Sequence, residues 1–371
     1  MKLAVLDING SRVRAVTGAD GSVPQILALD GTRLELATAI RLAGRRSEAG
    51  QAAVAICRQY PHLTCAGFLA SLDEDQPRPT RQGELSPEQA LALVVAHLRE
   101  SLASCDHLGL CLPGYLRESQ AMKCRAAFAK TRLRVLGAIP SAVALAVAAR
   151  ADDDNRACAT IEVDCHGLTF GYVDASEHGL RLADHHVIAE LGMNAWWEAL
   201  LDGIAEICIR QNRRDFRDSG VAEQGVFGQL DDVISAASKG ELIEIVIRTK
   251  QWCQNLILRP DQIAAMCEPL AVRAANALAD WLQEKAPRSC QVIVSDEAAR
   301  HPGLKAAVQD EAKGMEVVEV NTTKALSRVH AQASRWAGAD AAKLWHCLAP
   351  AAAPPKSANN DRVRSLRIRW R

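Results

Sequence analysis

Two stretches of the chain share one order of apolar and polar positions. Residues 2–16, KLAVLDINGSRVRAV, and residues 159–173, ATIEVDCHGLTFGYV, each begin with an apolar strand that ends in an aspartate, Asp7 or Asp164. In each, a glycine follows three positions later and a second strand ends in valine. Alternating apolar residues around an Asp-containing turn are typical of a β-hairpin. Two equivalent hairpins predict a chain built from two similar halves.

Strands alternate with helices between the two hairpins. Ser86 is followed by a proline and then by Gln89, which is the pattern of a capping box, and apolar residues recur at helical spacing as far as Leu102. A short apolar run at 108–112 predicts a buried parallel strand. The next elements predicted are a helix at 118–131, a strand at 133–138 and an alanine-rich helix that starts at Pro140.

After the second hairpin the pattern changes to a long helical region. Residues 191–285 are predicted to be mostly helical, with a β segment at 241–248. A third strand is predicted at 179–187, a buried strand at 289–296, and a helix after Pro302. This order of strands and helices predicts the α/β class with a parallel component in the sheets.

Composition narrows the functional classes. The chain has 371 residues, of which 49% are hydrophobic and 24% charged, and this length predicts two or three domains or lobes. Forty-four basic residues balance forty-four acidic ones, so no nucleic-acid partner is predicted. No apolar run approaches the roughly 20 residues of a membrane span, and the N-terminus has no features of a signal peptide. The twelve cysteines lack CxxC pairs, and we expect reduced thiols in a cytoplasmic protein.

Seven segments resemble the nucleotide-binding domain of the Hsp70 chaperone family in order and spacing. In this chain they are LDINGS, SPEQALALVV, LPGYLRESQ, IPSAVALAV, VDCHGLTFGYV, LGMNAWW and VIVSDEAARHPGL. The family's corresponding patterns are DLGTTNS, a TPEE helix, VPAYFNDSQ, NEPTAAALAY, FDLGGGTFDV, LGGEDFD and VLVGGSSRIP. The likeness covers about residues 3–340. It implies an α/β, actin-like two-lobe fold with duplicated mixed sheets, flanking helices and a helical insertion subdomain.

The resemblance also implies domain boundaries. Lobe I spans 1–155 and receives a return helix at about 325–347. Lobe II spans 156–324 and contains the helical subdomain at about 191–285. Residues 348–371 form a Pro/Ala linker and a basic tail.

The family holds Mg-ATP in the cleft between its lobes, so the resemblance implies a nucleotide and magnesium site here. Asp7 and Asp164 match the aspartates associated with magnesium, and Asp164 is the implied catalytic residue if the chain hydrolyses ATP. Turn residues without any ligand are the alternative for both aspartates. The positions implied to contact ATP or ADP are Asp7, Asn9, Gly10, Ser11, Asp164, Gly167, Thr169, Gly192 and Arg300.

Several positions depart from the family pattern. His166 and Leu168 replace two of three successive glycines, although only glycine combines left-handed freedom with close backbone approach to a phosphate. Asp296–Glu297 replaces a glycine pair beside the nucleoside. The lysine, glutamate and aspartate that complete hydrolysis in the family correspond here to about Leu69, Ile139 and Gly171. Losing one preorganised donor or cation commonly costs about 3 kcal/mol of transition-state stabilisation, so weakened or absent hydrolysis is expected.

Three functions are compatible with these residues. The first is an Hsp70-like, chaperone-family binding or regulatory module with degenerate or absent ATP hydrolysis, a pseudo-ATPase that acts on a protein partner or client. The second is an active Mg-ATP-dependent ATPase with a rearranged site. The third is a nucleotide-free protein-interaction scaffold. The tail at 362–371 has the sequence RVRSLRIRWR. It could contact an acidic partner or an anionic surface, and the alternative is a solvated chain end.

Overall fold

The computed structural model describes residues 2–332, apart from residues 43–46, 75–76, 81–82, 151–155, 177–178, 286–289 and 313. The predicted linker and basic tail at 348–371 lie outside the described residues, as does the predicted return helix beyond residue 332.

The described part of the chain contains eighteen strands and eleven α-helices. The strands are β1 (Lys2–Ile8), β2 (Arg12–Ala19), β3 (Gln25–Ile26), β4 (Glu35–Ala37), β5 (Ala39–Arg41), β6 (Glu48–Ala49), β7 (Thr64–Ala66), β8 (Arg78–Thr80), β9 (Gly83–Leu85), β10 (His107–Leu112), β11 (Arg134–Pro140), β12 (Cys158–Val163), β13 (Leu168–Ser176), β14 (Gly179–Ile188), β15 (Ile243–Arg248), β16 (Cys253–Leu258), β17 (Gln291–Ser295) and β18 (Val317–Val320). The α-helices are α1 (Gln51–Val54), α2 (Pro87–Ser101), α3 (Glu118–Ala129), α4 (Ser141–Ala149), α5 (Met193–Asn212), α6 (Gly220–Phe227), α7 (Leu230–Ser238), α8 (Pro260–Lys285), α9 (Asp296–Arg300), α10 (Leu304–Glu311) and α11 (Thr322–Ala331).

Two sheets share one strand order and one set of directions. Written from the corresponding edge, the first sheet runs β3-β2-β1-β10-β11, with β4 also paired to β2, and the second runs β14-β13-β12-β17-β18. In the first sheet β1 is antiparallel to β2 and parallel to β10, and β10 is parallel to β11. In the second sheet β12 is antiparallel to β13 and parallel to β17, and β17 is parallel to β18. The prediction of two similar halves is therefore confirmed at the level of the sheets.

The equivalent hairpins place the two aspartates at corresponding points. Asp7 lies near the end of β1, and Asp164 directly follows β12. Both side chains are buried. Each aspartate therefore stands at the carboxyl end of the central strand of its sheet, which is the edge where ligands of open α/β sheets usually bind.

Helix α4 joins the two sheets. Its sequence, SAVALAVAA, is apolar on all sides, and most of its residues are buried. A helix of this composition needs apolar neighbours all round. It packs on α11 and against strands of both sheets, including β10, β11, β12 and β14. The small alanine side chains let the sheets approach closely, and this brings the two hairpin turns face to face.

The helical region predicted after the second hairpin is present as α5 to α8, with the hairpin β15–β16 inserted. The predicted β segment is confirmed as β15, and its partner β16 adds a second strand. The capping box of α2 is formed: the backbone N–H of Gln89 donates to Ser86 Oγ at 3.2 Å, and that of Ser86 donates to Gln89 Oε1 at 2.9 Å. Among the described helices, none combines the length and apolar character needed to cross a bilayer.

Candidate functional site

A small cavity of about 40 Å³ lies where the two hairpin turns meet. Four of the predicted site residues line it: Asp7, Asn9, Asp164 and Thr169. They come from both sheets, so the fold brings together residues that are more than 150 positions apart in sequence. Of the nine positions that the resemblance implies, these four converge on the cavity.

Asp164 is held by four hydrogen bonds. Its Oδ2 atom accepts from the backbone N–H of Gly10 at 2.7 Å and from the Tyr115 hydroxyl at 2.6 Å. Its Oδ1 atom accepts from the backbone N–H groups of His166 and Gly167 at 2.8 and 3.2 Å. The carboxylate therefore bridges the first turn, the loop after β10 and its own turn.

A second hydrogen bond crosses between the turns nearby. The backbone N–H of Cys165 donates to Ser11 Oγ at 2.8 Å. In the first turn, the N–H groups of Ser11 and Arg12 both donate to Asn9 Oδ1 at 2.9 Å. The N–H groups of residues 10–12 and 165–167 thus all have acceptors within the protein.

This pairing decides how well the turns fit a phosphate. A phosphate cradle needs several backbone N–H groups that converge on an open position. Here the carboxylate of Asp164 and the Oγ atom of Ser11 occupy the acceptor positions, so the arrangement does not fit a nucleotide phosphate between the turns.

The glycines of the turns also lack space for a phosphate, because other protein segments pack closely against them. A Cβ atom added to Gly10 would lie 2.9 Å from Asp164 Oδ2 and 3.3 Å from the Tyr115 hydroxyl. A Cβ atom added to Gly192 would lie 3.0 Å from the backbone nitrogen of Gly167. Both glycines therefore serve close contact between protein segments.

Asp7 and Asp164, which the resemblance implies as magnesium ligands, both have polar partners within the protein. Both oxygens of Asp164 are used by the donors described above, and Asn9 Nδ2 lies 3.4 Å from Asp7 Oδ2. Within the described residues, no group of three or more His, Cys, Asp or Glu side chains is placed to hold a metal ion. The arrangement of these carboxyl groups does not fit a magnesium ion held by both aspartates.

Four charged side chains form a second feature at the edge of the cavity, here called the arginine–glutamate box: Arg12, Arg14, Glu35 and Glu297. Arg12 contacts Glu35 at 2.6 Å and Glu297 at 2.7 Å. Arg14 contacts the same two glutamates at 2.6 and 3.0 Å. The arginines belong to β2 and Glu297 to α9, so the box links the first sheet to the second.

The box is electrostatically balanced. Burial alone would raise the pKa of Glu35, but Arg12 and Arg14 together lower it below its ordinary value. Burial would likewise raise the pKa of Glu297, and Arg12, His301 and Arg14 reverse this. Both glutamates are therefore charged at neutral pH and neutralise the two arginines.

Two other carboxyl groups of the cavity lining, Asp7 and Glu162, show the opposite behaviour. Burial raises the pKa of Asp7 to about 7, although Arg14 opposes the shift. Burial also raises the pKa of Glu162 to about 8, and the charges of Asp7 and Asp164 add to that rise. Near neutral pH each of these two groups is therefore protonated for a substantial part of the time.

The remaining predicted residues lie apart from the cavity lining. Arg300 contacts Asp231 at 3.3 Å and Glu297 at 3.7 Å. Leu69 and Ile139 are buried in the apolar cores. A Cβ atom at Gly171 would lie 2.6 Å from Thr160 Oγ1. Leu69, Ile139 and Gly171 therefore serve packing in the structure.

A larger groove of about 700 Å³ opens on the other side of Ser11 and Arg12. We call this surface the groove. Arg33 and Val54 line one wall, and Trp197, Phe227 and Asp231 line the other. The rings of Trp197 and Phe227 meet edge to face, with centroids 5.3 Å apart, and they give this wall an aromatic surface.

Direct contacts bridge the rim of the groove. The backbone N–H of Arg58 donates to Gln224 Oε1 at 2.8 Å, and Gln224 Nε2 donates to the carbonyl of Val54 at 3.0 Å. The Arg58 guanidinium lies 4.7 Å from the centroid of the Phe227 ring and 2.5 Å from Glu198 Oε1. The two sides are therefore joined at the rim as well as at the turns.

Sequence reasoning missed four residues that shape the site: Arg12, Arg14, Tyr115 and Glu162. The arginines are two positions apart on a strand, so they share one face, and this signal was available. Glu162 is the one charged residue in the otherwise apolar strand CATIEV, which also marks it as exceptional. Tyr115 carried no local signal.

Comparisons of the sequence with protein-family models and with curated proteins find no match.

Proposed function

We propose that the chain is a divergent relative of the Hsp70 nucleotide-binding domain, with an actin-like pair of lobes, that acts as a binding and regulatory module without ATP hydrolysis. The equal strand order of the two sheets supports the two-lobe assignment. The packing of helix α4 against both sheets supports it as well. Cytoplasmic location and the chaperone role belong to the same proposal.

One observation carries the functional part. The hydrogen bond from Gly10 N–H to Asp164 Oδ2 joins the two turns directly, at 2.7 Å. Hydrolysis of ATP needs donors and cations preorganised around the transferred phosphoryl group. In this chain the turn donors are bonded to protein acceptors, and the cations of the arginine–glutamate box are paired with carboxylates. The turns then serve as contacts between the lobes.

The groove supports the binding part of the proposal. Its volume of about 700 Å³ falls within the range of roughly 300–1,000 Å³ for ligand pockets. Its aromatic wall, Trp197 and Phe227, offers the type of side chain that is enriched where proteins bind partners. A protein partner or client that inserts a side chain between the lobes fits this surface.

The decisive experiment is a calorimetric titration with Mg-ATP, followed by single-turnover hydrolysis with radiolabelled ATP. We expect no release of phosphate and no heat of binding. If Mg-ATP bound without being hydrolysed, the proposal of a non-hydrolysing module would stand, and a nucleotide would be one of its ligands.

The alternative is an active ATPase with a rearranged site, because Asp7, Asp164 and Thr169 do line one cavity. The test variant for this alternative is Asp164→Ala. Its matched control is Asp20→Ala, because Asp20 is an exposed aspartate. Turnover in the wild type that Asp164→Ala abolishes and Asp20→Ala retains would overturn the proposal.

A further inference from the structure

A separate cavity of about 230 Å³ lies in the first half of the chain, away from the turns. Its walls are the C-terminal half of α2 and the turn that follows α3. The apolar part of the lining consists of Val95, Leu102, Phe128 and Leu133, all buried in the protein core.

The polar part of the lining consists of Arg99, Arg132 and Thr131. Both arginines are exposed, and within the described part of the chain neither guanidinium forms an ion pair or a hydrogen bond. Thr131 is already used, because its hydroxyl donates to the carbonyl of Phe128 at 2.7 Å. Two guanidiniums without a partner among the described residues therefore line a cavity whose remaining walls are mainly apolar.

The position of Arg99 is also favourable for helix α2 itself. It lies in the last turn of α2, where a cation interacts favourably with the helix dipole. That interaction acts at a distance and leaves the five N–H donors of the guanidinium available. Arg132 lies beyond the end of α3 and lines the same cavity. The dipole of α2 therefore does not account for both arginines at this cavity.

We propose that this cavity binds a small apolar monocarboxylate, with its chain among Val95, Leu102 and Leu133 and its carboxylate between Arg99 and Arg132. The planar fork of a guanidinium matches a carboxylate in two parallel hydrogen bonds. The cavity is smaller than the roughly 300 Å³ at which pockets for drug-sized ligands begin, so a short chain is required. This site is independent of the turns and of the groove.

The test uses three probes on the full-length chain in calorimetric titrations: hexanoate, hexanol and acetate. Hexanoate has both the charge and the chain, hexanol lacks the charge, and acetate lacks the chain. We expect hexanoate to bind at least about tenfold more tightly than either of the others, because each part contributes. Equal binding of hexanol, or of acetate, would overturn the proposal.

Variants locate the binding site. Arg99→Ala and Arg132→Ala should each weaken hexanoate binding about tenfold, since each removes a charge-assisted hydrogen-bond donor. Arg134→Ala is the matched control, because Arg134 is exposed, lies two residues from Arg132 and does not line the cavity. Unchanged affinity in both test variants, or an equal loss in the control, would overturn the assignment.

A spectroscopic readout does not depend on any variant. In a methyl-labelled sample, hexanoate should shift the Leu102 and Leu133 resonances, and Leu278, buried in a different core cluster, should not move. Shifts at Leu278 alone, or no shift at Leu102 and Leu133 under saturating hexanoate, would contradict the proposed site.

Discussion

The backbone N–H of Gly10 donates to the carboxylate of Asp164 at 2.7 Å and joins two turns that are 154 residues apart in sequence. The bond is buried, and its acceptor also receives the Tyr115 hydroxyl at 2.6 Å. A charged acceptor in a buried place strengthens such bonds and makes their loss costly. The stability of the contact between the two sheets should therefore depend strongly on Asp164.

Replacing Asp164 with alanine should lower the free energy of unfolding by about 2–4 kcal/mol, because four donors lose their acceptor inside the protein. Urea denaturation followed by circular dichroism measures the change. Asp20→Ala, at an exposed turn, should stay within about 0.5 kcal/mol of the wild type. Equal stability of the two variants would show that the bridge between the turns contributes little.

The arginine–glutamate box predicts strong coupling between Arg12 and Glu297. Both side chains are largely buried, with exposed fractions of 11% and 10%, and their atoms approach to 2.7 Å. Removing the only partner of a buried charge costs about 3–5 kcal/mol. Arg12→Met should cost somewhat less, about 2–4 kcal/mol, because Arg14 still contacts both Glu297 and Glu35. Adding Glu297→Met to Arg12→Met should recover part of this loss, with a coupling energy of about 1–3 kcal/mol in a double-mutant cycle.

The exposed pair Lys305–Glu319 is the matched control for that cycle. Its atoms are also close, at 2.6 Å, but both side chains are 43% exposed. Water screens such a pair, and its coupling energy should stay below about 1 kcal/mol. If the two cycles gave the same coupling, burial would not be what makes the box strong.

Much of the fold was predictable from local pattern, and much of the site was not. Helix α2 has both apolar periodicity and a capping box, and strand β10 is a continuous apolar run, so each was predicted within about two residues. Strands β3 to β9 have only two or three residues each, which is too short for a period to be visible. Their pairing depends on neighbouring strands that the sequence does not identify.

The same division applies to the site: local sequence marks some of its residues, and others are brought in from distant segments. Asp7 and Asp164 follow apolar strands, and turn chemistry marked both. The partners of these aspartates and of Arg14 come from distant segments: Glu297 lies 283 residues from Arg14. A pair at that separation leaves no local trace in one sequence. The resemblance marked Glu297 only as a departure from the family pattern, and it did not identify the two arginines that Glu297 contacts.

The protonated carboxyls of the cavity predict a decline of stability with rising pH. In the folded protein the pKa of Asp7 is raised to about 7 and that of Glu162 to about 8, mainly by burial. In the unfolded chain both groups lose their protons near pH 4, so between about pH 4 and 8 the folded state binds more protons. Stability should therefore fall across this window, by a few kcal/mol at most, and level off above it.

Asp7→Asn tests this directly, because the amide has nearly the same shape and cannot ionise. Thermal unfolding at pH 8.5 should show a higher Tm for Asp7→Asn than for the wild type, and the two should be similar near pH 5. Glu162→Gln should behave in the same way. A wild-type Tm that rises steadily from pH 5 to 8.5 would contradict the protonation of the cavity.

At acidic pH, the stability of the folded protein should depend on the arginine–glutamate box. The pKa values of Glu35 and Glu297 are lowered in the folded protein, so their stabilising effect is complete above their ordinary pKa and is lost as the pH falls below it. Together with the cavity carboxyls, this places the stability maximum near pH 5–6. Glu297→Gln should remove part of the acid sensitivity, and an unaltered acid limb in this variant would argue against the assignment.

The rim of the groove predicts a local change in dynamics. Gln224 donates to the carbonyl of Val54 and accepts from the N–H of Arg58, so it ties α6 to the segment after α1. Gln224→Ala removes both bonds, each worth about 1 kcal/mol, and should speed amide exchange in residues 54–58 by about five- to tenfold. Gln229→Ala is the control, because Gln229 bonds to the backbone of Val246 within the helical region. It should speed exchange in β15 and leave residues 54–58 unchanged; equal effects of the two variants on residues 54–58 would contradict a specific bridge across the groove.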